Sequence, residues 1–295
     1  MRLFRKWIEP HFLKFYLIKH KICYMYVQKL ILFLLFILVS NVLFAQNFQV
    51  KYKVQSQRDS TNYEIKFEET ATLYIESKIK TYFHTDNFAF KDSLVKLVNS
   101  GKLTAYEVMS NKGNLKPTDF NLHVTKDLSK NQVDFFEKIS VSVYSYSFQP
   151  NFRWEIKPDT LTIQGYRCNK ATGYFGGRQY IAWFTHEIPI ADGPYVFFGL
   201  PGLIVRIYDE KKHYDFTLVS FEKTSSTSFV KVPSTGEKII QASREQVFKA
   251  RERMRTQTLE VMREMGFNII KTPDIQEKYK QKQKSDNNPI ELQVD

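Results

Sequence analysis

The run Phe48-Gln49-Val50-Lys51-Tyr52-Lys53-Val54-Gln55 alternates apolar and polar residues over eight unbroken positions. Successive side chains of a strand point to opposite faces, so Phe48, Val50, Tyr52 and Val54 belong to a buried face and the Gln and Lys residues to solvent. The same pattern recurs outward along the chain. Residues 63–67 (YEIKF) repeat it and residues 72–75 (TLYI) extend the β-rich reading. Between Phe120 and Ile163 come LHVTKDL, QVDFFEKI, VSVYSYSF, FRWEI and TLTI. Asn, Ser, Lys or Pro-Asp breakers separate them at intervals of about 8–12 residues, which points to an antiparallel sheet rather than to βαβ units. The expected fold class is mainly β (α+β): a curved antiparallel sheet or half-barrel with one long C-terminal helix packed on it.

That helix is predicted over Ser243–Met265. Ser243 is its N-cap, Gln246 completes a capping box, and Val247, Ala250, Met254, Val261 and Met265 recur at helical spacing before Gly266. A shorter helix is predicted over Asp92–Asn99, ended by Gly101. Residues 271–295 are polar and rich in lysine, and are expected to be a flexible tail.

Composition excludes several classes. The chain has 295 residues, 43% hydrophobic and 25% charged, which is ordinary globular usage and not that of a disordered chain. The formal charge of +12 is concentrated at the start. Residues 1–45 hold seven basic residues against Glu9, leaving 36 basic and 30 acidic residues on the other 250. A surplus of that size is not a nucleic-acid footprint.

From Lys29 the chain reads KLILFLLFILVSNVLFAQ, with ten apolar residues from Leu30 to Val39 and small Ala45 at the end. This is the pattern of a cleavable signal peptide over 25–45, and the apolar run is too short for a stable span. Met25 lies at its head, so residues 1–24 read as an over-long translation start. The expected product is periplasmic or secreted, a single β-rich domain over 46–270, with no stable membrane span after cleavage. Of the two cysteines, Cys23 and Cys168, only Cys168 follows Ala45, so no internal disulfide is expected.

One region differs from the rest. Seven of the eleven glycines fall between Gly165 and Gly202, and the densest stretch reads GPYVFFGLPGLI from Gly193 to Ile204. Leu200-Pro201-Gly202-Leu203 has the chemistry of a type II turn, with proline then glycine at its centre. Leu203, Val205 and Ile207 then start a strand, Asp209–Lys212 is a polar hairpin loop, and Tyr214, Phe216 and Leu218 return. Gly173-Tyr174-Phe175-Gly176-Gly177-Arg178 precedes no helical pattern and reads as a hairpin turn, not an anion loop.

On these residues the chain resembles the GLPGLI family, through the hexapeptide Gly199-Leu200-Pro201-Gly202-Leu203-Ile204. Tyr166-Arg167-Cys168-Asn169-Lys170-Ala171, Gly177-Arg178, Ala182-Trp183-Phe184-Thr185, Ile188-Pro189 and Gly193-Pro194 fit its other elements, and Asn288-Pro289-Ile290-Glu291 its usual chain end. The firm resemblance covers Gly165 to about Phe221. It implies an exported bacterial protein with a signal peptide, and it carries over no catalytic residue.

The remaining chemistry is sparse. Cys168 could serve a hydrolase only with a partner base such as His186, and a lone cysteine in an aromatic strand more often behaves as a buried apolar group. His84, His123, His186 and His213 are scattered, and His186-Glu187 would point to opposite faces of a strand, so no metal or cofactor is expected. Asp192, Glu187, Asp209 and Glu210 lie near turns with nothing to fix an acid pair. Arg178, Trp183 and Arg206 are the binding candidates, for stacking or for an anionic head group; the favoured alternative gives the arginine to the carbonyls of the Gly-Pro loops. Residues 46–295 hold 19 Phe, 14 Tyr and 2 Trp, more than a small core needs, so some are expected to line a groove. The leading functional expectation is a non-enzymatic carrier for a hydrophobic small molecule or lipid. The second is docking on an outer-membrane protein through an exposed patch at Phe197, Phe198 and Leu200. The third is a Cys168/His186 hydrolase.

Overall fold

The alternating run at 48–55 forms β1 (Asn47–Ser56), with Phe48, Val50, Tyr52 and Val54 all buried. The other strands are β2 (Phe67–Glu76), β3 (Lys80–Thr85), β4 (Leu122–Asp127), β5 (Gln132–Ile139), β6 (Ser142–Phe148), β7 (Glu155–Ile163), β8 (Tyr166–Phe175), β9 (Arg178–Thr185), β10 (Leu203–Asp209), β11 (Tyr214–Thr224) and β12 (Ile239–Gln241). They belong to one twelve-stranded sheet in the order β12-β6-β5-β4-β3-β2-β1-β11-β10-β9-β8-β7, antiparallel throughout except for the β12–β6 pair. The computed structural model describes residues 24–32, 46–110, 115–225, 239–270 and 272–294. It divides into a unit ending at Gln46 and a second from Asn47. Residues 24–32 are helical, and the rest of the expected signal segment, with Cys23, lies outside the described residues. Among the described residues no helix is long and apolar enough to cross a membrane.

The sheet is open, yet it curls strongly. β6 and β8 are nine places apart in its order, which in a flat sheet would be about 40 Å at 4.8 Å per strand. The rings of Phe148 on β6 and Phe175 on β8 nevertheless stack at 6.2 Å. Register shifts at Lys51/Tyr52, Ile204/Arg206 and Ile156/Thr160 supply bulges, which bend strands locally. β7 is an edge strand and joins the two runs read separately at 152–156 and 160–163; Pro158 is tolerated there because an edge has a free side. The strand expected at 63–67 does not form: Tyr63 and Ile65 are exposed and Phe67 opens β2.

Helix α1 (Asp86–Asn99) begins six residues before the expected Asp92, because Thr85 supplies the N-cap and accepts from Phe88 N. Helix α2 is Ala105–Ser110. The single long helix expected over Ser243–Met265 is divided into α3 (Arg244–Thr256) and α4 (Thr258–Glu264), since Gln257 at φ −130°, ψ 38° leaves helical geometry. The Ser243/Gln246 capping box is present. Gly266 follows the C-cap of α4 with φ +88°. The polar run expected as a flexible tail instead carries α5 (Pro273–Ser285), N-capped by Thr272, and then enters the core at Asn288, Ile290 and Glu291.

Candidate functional site

The Gly-Pro segment between β9 and β10 fills the inside of the curled sheet. Ile188, Ile190, Tyr195, Val196, Phe197, Phe198 and Leu200 are buried. Tyr195 takes a left-handed φ of +54° and packs against Phe83, Phe120, Phe135 and Phe216, from opposite reaches of the sheet. Phe197 continues towards Phe152, Phe175 and Tyr180. The aromatic surplus is therefore core, and the apolar groove expected inside a half-barrel is occupied by the protein's own loop. Phe197 and Phe198, expected on an exposed docking patch, are 0% and 5% exposed.

Backbone and charge fix this loop. Gly202 N–H donates to Leu200 O at 2.8 Å and Leu203 N–H to Ile188 O at 3.0 Å, so the expected type II turn is instead a three-residue turn centred on Pro201. Gly202 has φ +152°, and a Cβ there would lie 2.0 Å from Thr185 O, so only glycine lets the loop approach β9. Trp154 Nε1 donates to Phe198 O at 2.8 Å, and Tyr52 OH to Ile204 O at 2.8 Å. Lys126, wholly buried on β4, meets Asp192 at 2.5 Å and donates to Gly193 O at 2.6 Å. Burial pushes the Lys126 ammonium down and the Asp192 carboxyl up, while each draws the other back toward its charged form. Lys126 was missed in sequence, although alternation with Leu122 and Val124 already puts it on the apolar face.

The binding trio is split. β9 alternates, so Arg178, Tyr180, Ala182 and Phe184 face inward, while Trp183 is half-buried on the other face beside Arg206 in register. Arg206 forms a fork with Asp215, at 2.6 Å from Nη2, and lies 4.9 Å over the Tyr208 ring. Arg178 is buried and holds the chain end: Nε donates to Ile290 O (2.9 Å), Nη2 to Asn288 Oδ1 and Pro289 O (both 2.6 Å), and Nη1 to Asp209 (3.1 Å). It does donate to carbonyls, but those of the 288–290 strap, not of the Gly-Pro loop. The strap is also held by Tyr214 OH on Asn288 O at 2.6 Å and by Tyr195 OH on Glu291. Gly176 and Gly177, both at positive φ, form the hairpin turn that brings Arg178 to this place.

Cys168 is a core group. It is buried, its thiol donates to Tyr166 O at 3.4 Å, and desolvation pushes its pKa up to about 11, away from a nucleophilic thiolate. His186 is exposed, with its ring edge-on to Phe184, and among the described residues no Cys168–His186 hydrogen bond forms. Among the described residues no cluster of three or more His, Cys, Asp or Glu is placed to hold a metal.

A different site lies on the outer face, beneath α1. His84 on β3 and His123 on β4 are directly opposed, and both are buried. His123 stacks on Phe136 of β5 at 4.6 Å and 14°. It lines a cavity of about 340 Å³ with Phe88, Val95, Phe136, Val143 and Lys91 among its walls. Neither ring nitrogen of His123 has a hydrogen-bond partner, and His84 Nε2 has none either. Desolvation, with His84 adding to it, lowers the His123 pKa to about 3, so its ring is neutral near pH 7. A second cavity, of about 420 Å³, lies between the ends of β4 and β5 and helices α3 to α5; Arg58, Arg251, Arg255 and Tyr279 are among its walls. Asn121, Lys138 and Ser140 line both. The sequence signal for the outer site was an outward-facing His123 within LHVTKDL, but its lack of partners was not legible there.

These features define a class: an open, curled antiparallel sheet with a self-filled interior and a pocket on its outer face. Residues 175–206, which span the inward arginine and the loop, match a family model described as "Protein of unknown function (Porph_ging)". No curated protein matches the chain. Among solved structures it is similar to two of PNGF-II, in the C2 and P21 space groups, both at 13% identity, with TM-scores of 0.50 and 0.48. The match covers 72% of this chain but only 34% of those, so the chain spans about a third of their length, and the likeness shows the fold alone.

Proposed function

We propose that this is an exported, non-enzymatic binding protein of the GLPGLI type that takes a small amphipathic molecule in the cavity beneath α1. Its signal segment is removed near Ala45, leaving a periplasmic or secreted domain. The observation that carries this reading is His123, 3% exposed, lining a largely apolar cavity with both ring nitrogens unpartnered. A buried polar group left without a partner is unfavourable by about 1–3 kcal/mol, and a ligand that hydrogen-bonds it recovers that loss. A cavity near 340 Å³ is within the roughly 300–1,000 Å³ of small-molecule sites. The same argument turns the carrier away from the sheet interior, where Tyr195 and Phe197 already fill the space.

The test is native mass spectrometry with small-molecule extraction of the protein from its own periplasm, compared with His123→Phe. The expected result is a stoichiometric molecule in the parent that is lost in the variant. A parent without a bound molecule, or equal loading of the variant, overturns the reading.

A further inference from the structure

The cavity beneath α1 also carries a charge that no protein group answers. Phe88, Lys91, Asp92 and Val95 line it from the helix, and their spacing (i, i+3, i+4, i+7) puts all four on the face of α1 turned to the sheet. Such a face is ordinarily an apolar stripe, yet two of these four residues are ionic. Asp92 is answered within the helix, since Lys96 meets its carboxylate at 2.9 Å. Lys91 is not. It is half-buried on the cavity wall, and among the described residues its ammonium makes no ion pair and no hydrogen bond. Lys138 adds a second cation to the walls from β5. His123 has Phe136 stacked on its ring, so its edge, with the two unpartnered nitrogens, is what remains for a ligand. A neutral imidazole has one N–H to donate, and a carboxylate oxygen accepts from it and from an ammonium alike.

We infer that the molecule held beneath α1 is a small monocarboxylic acid, its aryl or acyl body against Phe88, Val95, Phe136 and Val143 and its carboxylate at Lys91, with the His123 N–H as a second donor. The inference rests on the proposed binding role of this cavity, and adds the charge of the ligand and the residue that selects it. An acid fits better than a cation because Asp92, the acidic group on these walls, is already held by Lys96, while Lys91 and Lys138 leave an excess of positive charge. Aromatic acids and short-chain fatty acids share this chemistry.

Two matched pairs of probes isolate the charge: 1-naphthoate with 1-naphthamide, and octanoate with octanamide. Calorimetric titration of the chain from Gln46 at neutral pH, checked for cooperative unfolding, is expected to show one-to-one binding of an acid about tenfold tighter than its amide, one charge-assisted contact's worth of affinity. Naphthoate as the tighter acid supports an aryl ligand, and octanoate an acyl one. Lys91→Gln changes a side chain that makes no bond, so folding is not at risk. It is expected to bring the acid down to the amide's affinity without moving the amide, whereas Lys91→Arg, which keeps the charge, is expected to keep the preference. Added salt is expected to narrow the preference, because a half-buried ammonium is still screened. His123→Phe is expected to weaken acid and amide together, since both accept from its N–H. Equal affinity of acid and amide, or a preference that survives Lys91→Gln, overturns the inference and leaves the binding role standing. Binding unchanged by His123→Phe puts the ligand elsewhere and overturns both. Binding of none of the four probes overturns the inference alone, and native mass spectrometry of the extracted protein then judges the binding role separately.

Discussion

The charged groups buried inside the sheet meet opposite charges, whereas the neutral imidazole of His123, buried beneath α1 on the outside, makes no hydrogen bond. Inside, charges arrive in pairs: Lys126 with Asp192, Arg178 with Asp209, and Arg244 with Glu291, which also meets Tyr195. Outside, beneath α1, His123 is just as deeply buried and stacks on Phe136, but neither ring nitrogen has a hydrogen-bond partner. Burial without a partner is costly in either place, so the difference separates structure from function. A matched group holds the loop and strap where they are. An unmatched one on a cavity wall is an unfilled position for a ligand.

The largest expected effect breaks the inner side of this comparison. Lys126→Met leaves the Asp192 carboxylate buried and alone, and should cost about 3–5 kcal/mol of unfolding free energy. Denaturant unfolding would measure it. The double variant Lys126→Met/Asp192→Leu is expected to recover most of the loss, since removing both charges also removes their desolvation penalty. No recovery would mean that the lysine's hydrogen bond to Gly193 O, rather than its charge, holds the loop.

Next comes the strap. Arg178→Lys keeps the positive charge but not the fork that reaches Ile290, Asn288, Pro289 and Asp209 together. The expected loss is about 2–3 kcal/mol, one charge-assisted bond's worth, with faster tryptic cleavage after Lys284 as the strap loosens. Unchanged cleavage would show that Tyr214 and Tyr195 hold the strap without it.

The smallest effect sharpens the outer side, and it depends on pH. His123 titrates near 6.5 when unfolded and near 3 when folded, so the unfolded chain binds the extra proton between those values. Its contribution is therefore full above pH 6.5 and is lost as pH falls towards 3, by about 1.4 kcal/mol per pH unit. His123→Phe should remove that slope, lessening the stability lost between pH 7 and pH 5 by about 2 kcal/mol. His84, also lowered by burial, keeps a parallel slope in both proteins. Identical pH profiles for parent and variant would show that His123 is hydrated in solution, which ends the contrast drawn here.

Much of the fold was legible because strands report locally. Period-two alternation marked β1, β4 to β6, β10 and β11, and the capping box marked the start of α3. Local reading failed where distant residues decided. Tyr63 and Ile65 alternate correctly but find no neighbouring strand, and Gln257 breaks a periodic helix that its sequence would continue. The chain end looked like solvent-facing tail because its partners Arg178 and Tyr214 lie 110 and 74 residues away from Asn288. The candidate site was the least legible part. Phe197 and Phe198 read equally well as a surface patch or as core, since apolarity alone does not say which surface covers a residue.

By itself, the sequence determined the strands that alternate cleanly, the capped start of α3, and that the glycine- and proline-dense stretch is built differently from the rest. Those properties come from side-chain alternation and backbone sterics, which act over a few residues. Only the tertiary structure decided that this stretch fills the sheet, that Arg178 fastens the chain end, and that His123 has nothing to bond. Each of these depends on whether a partner arrives from far along the chain, and local sequence carries no record of who will be near.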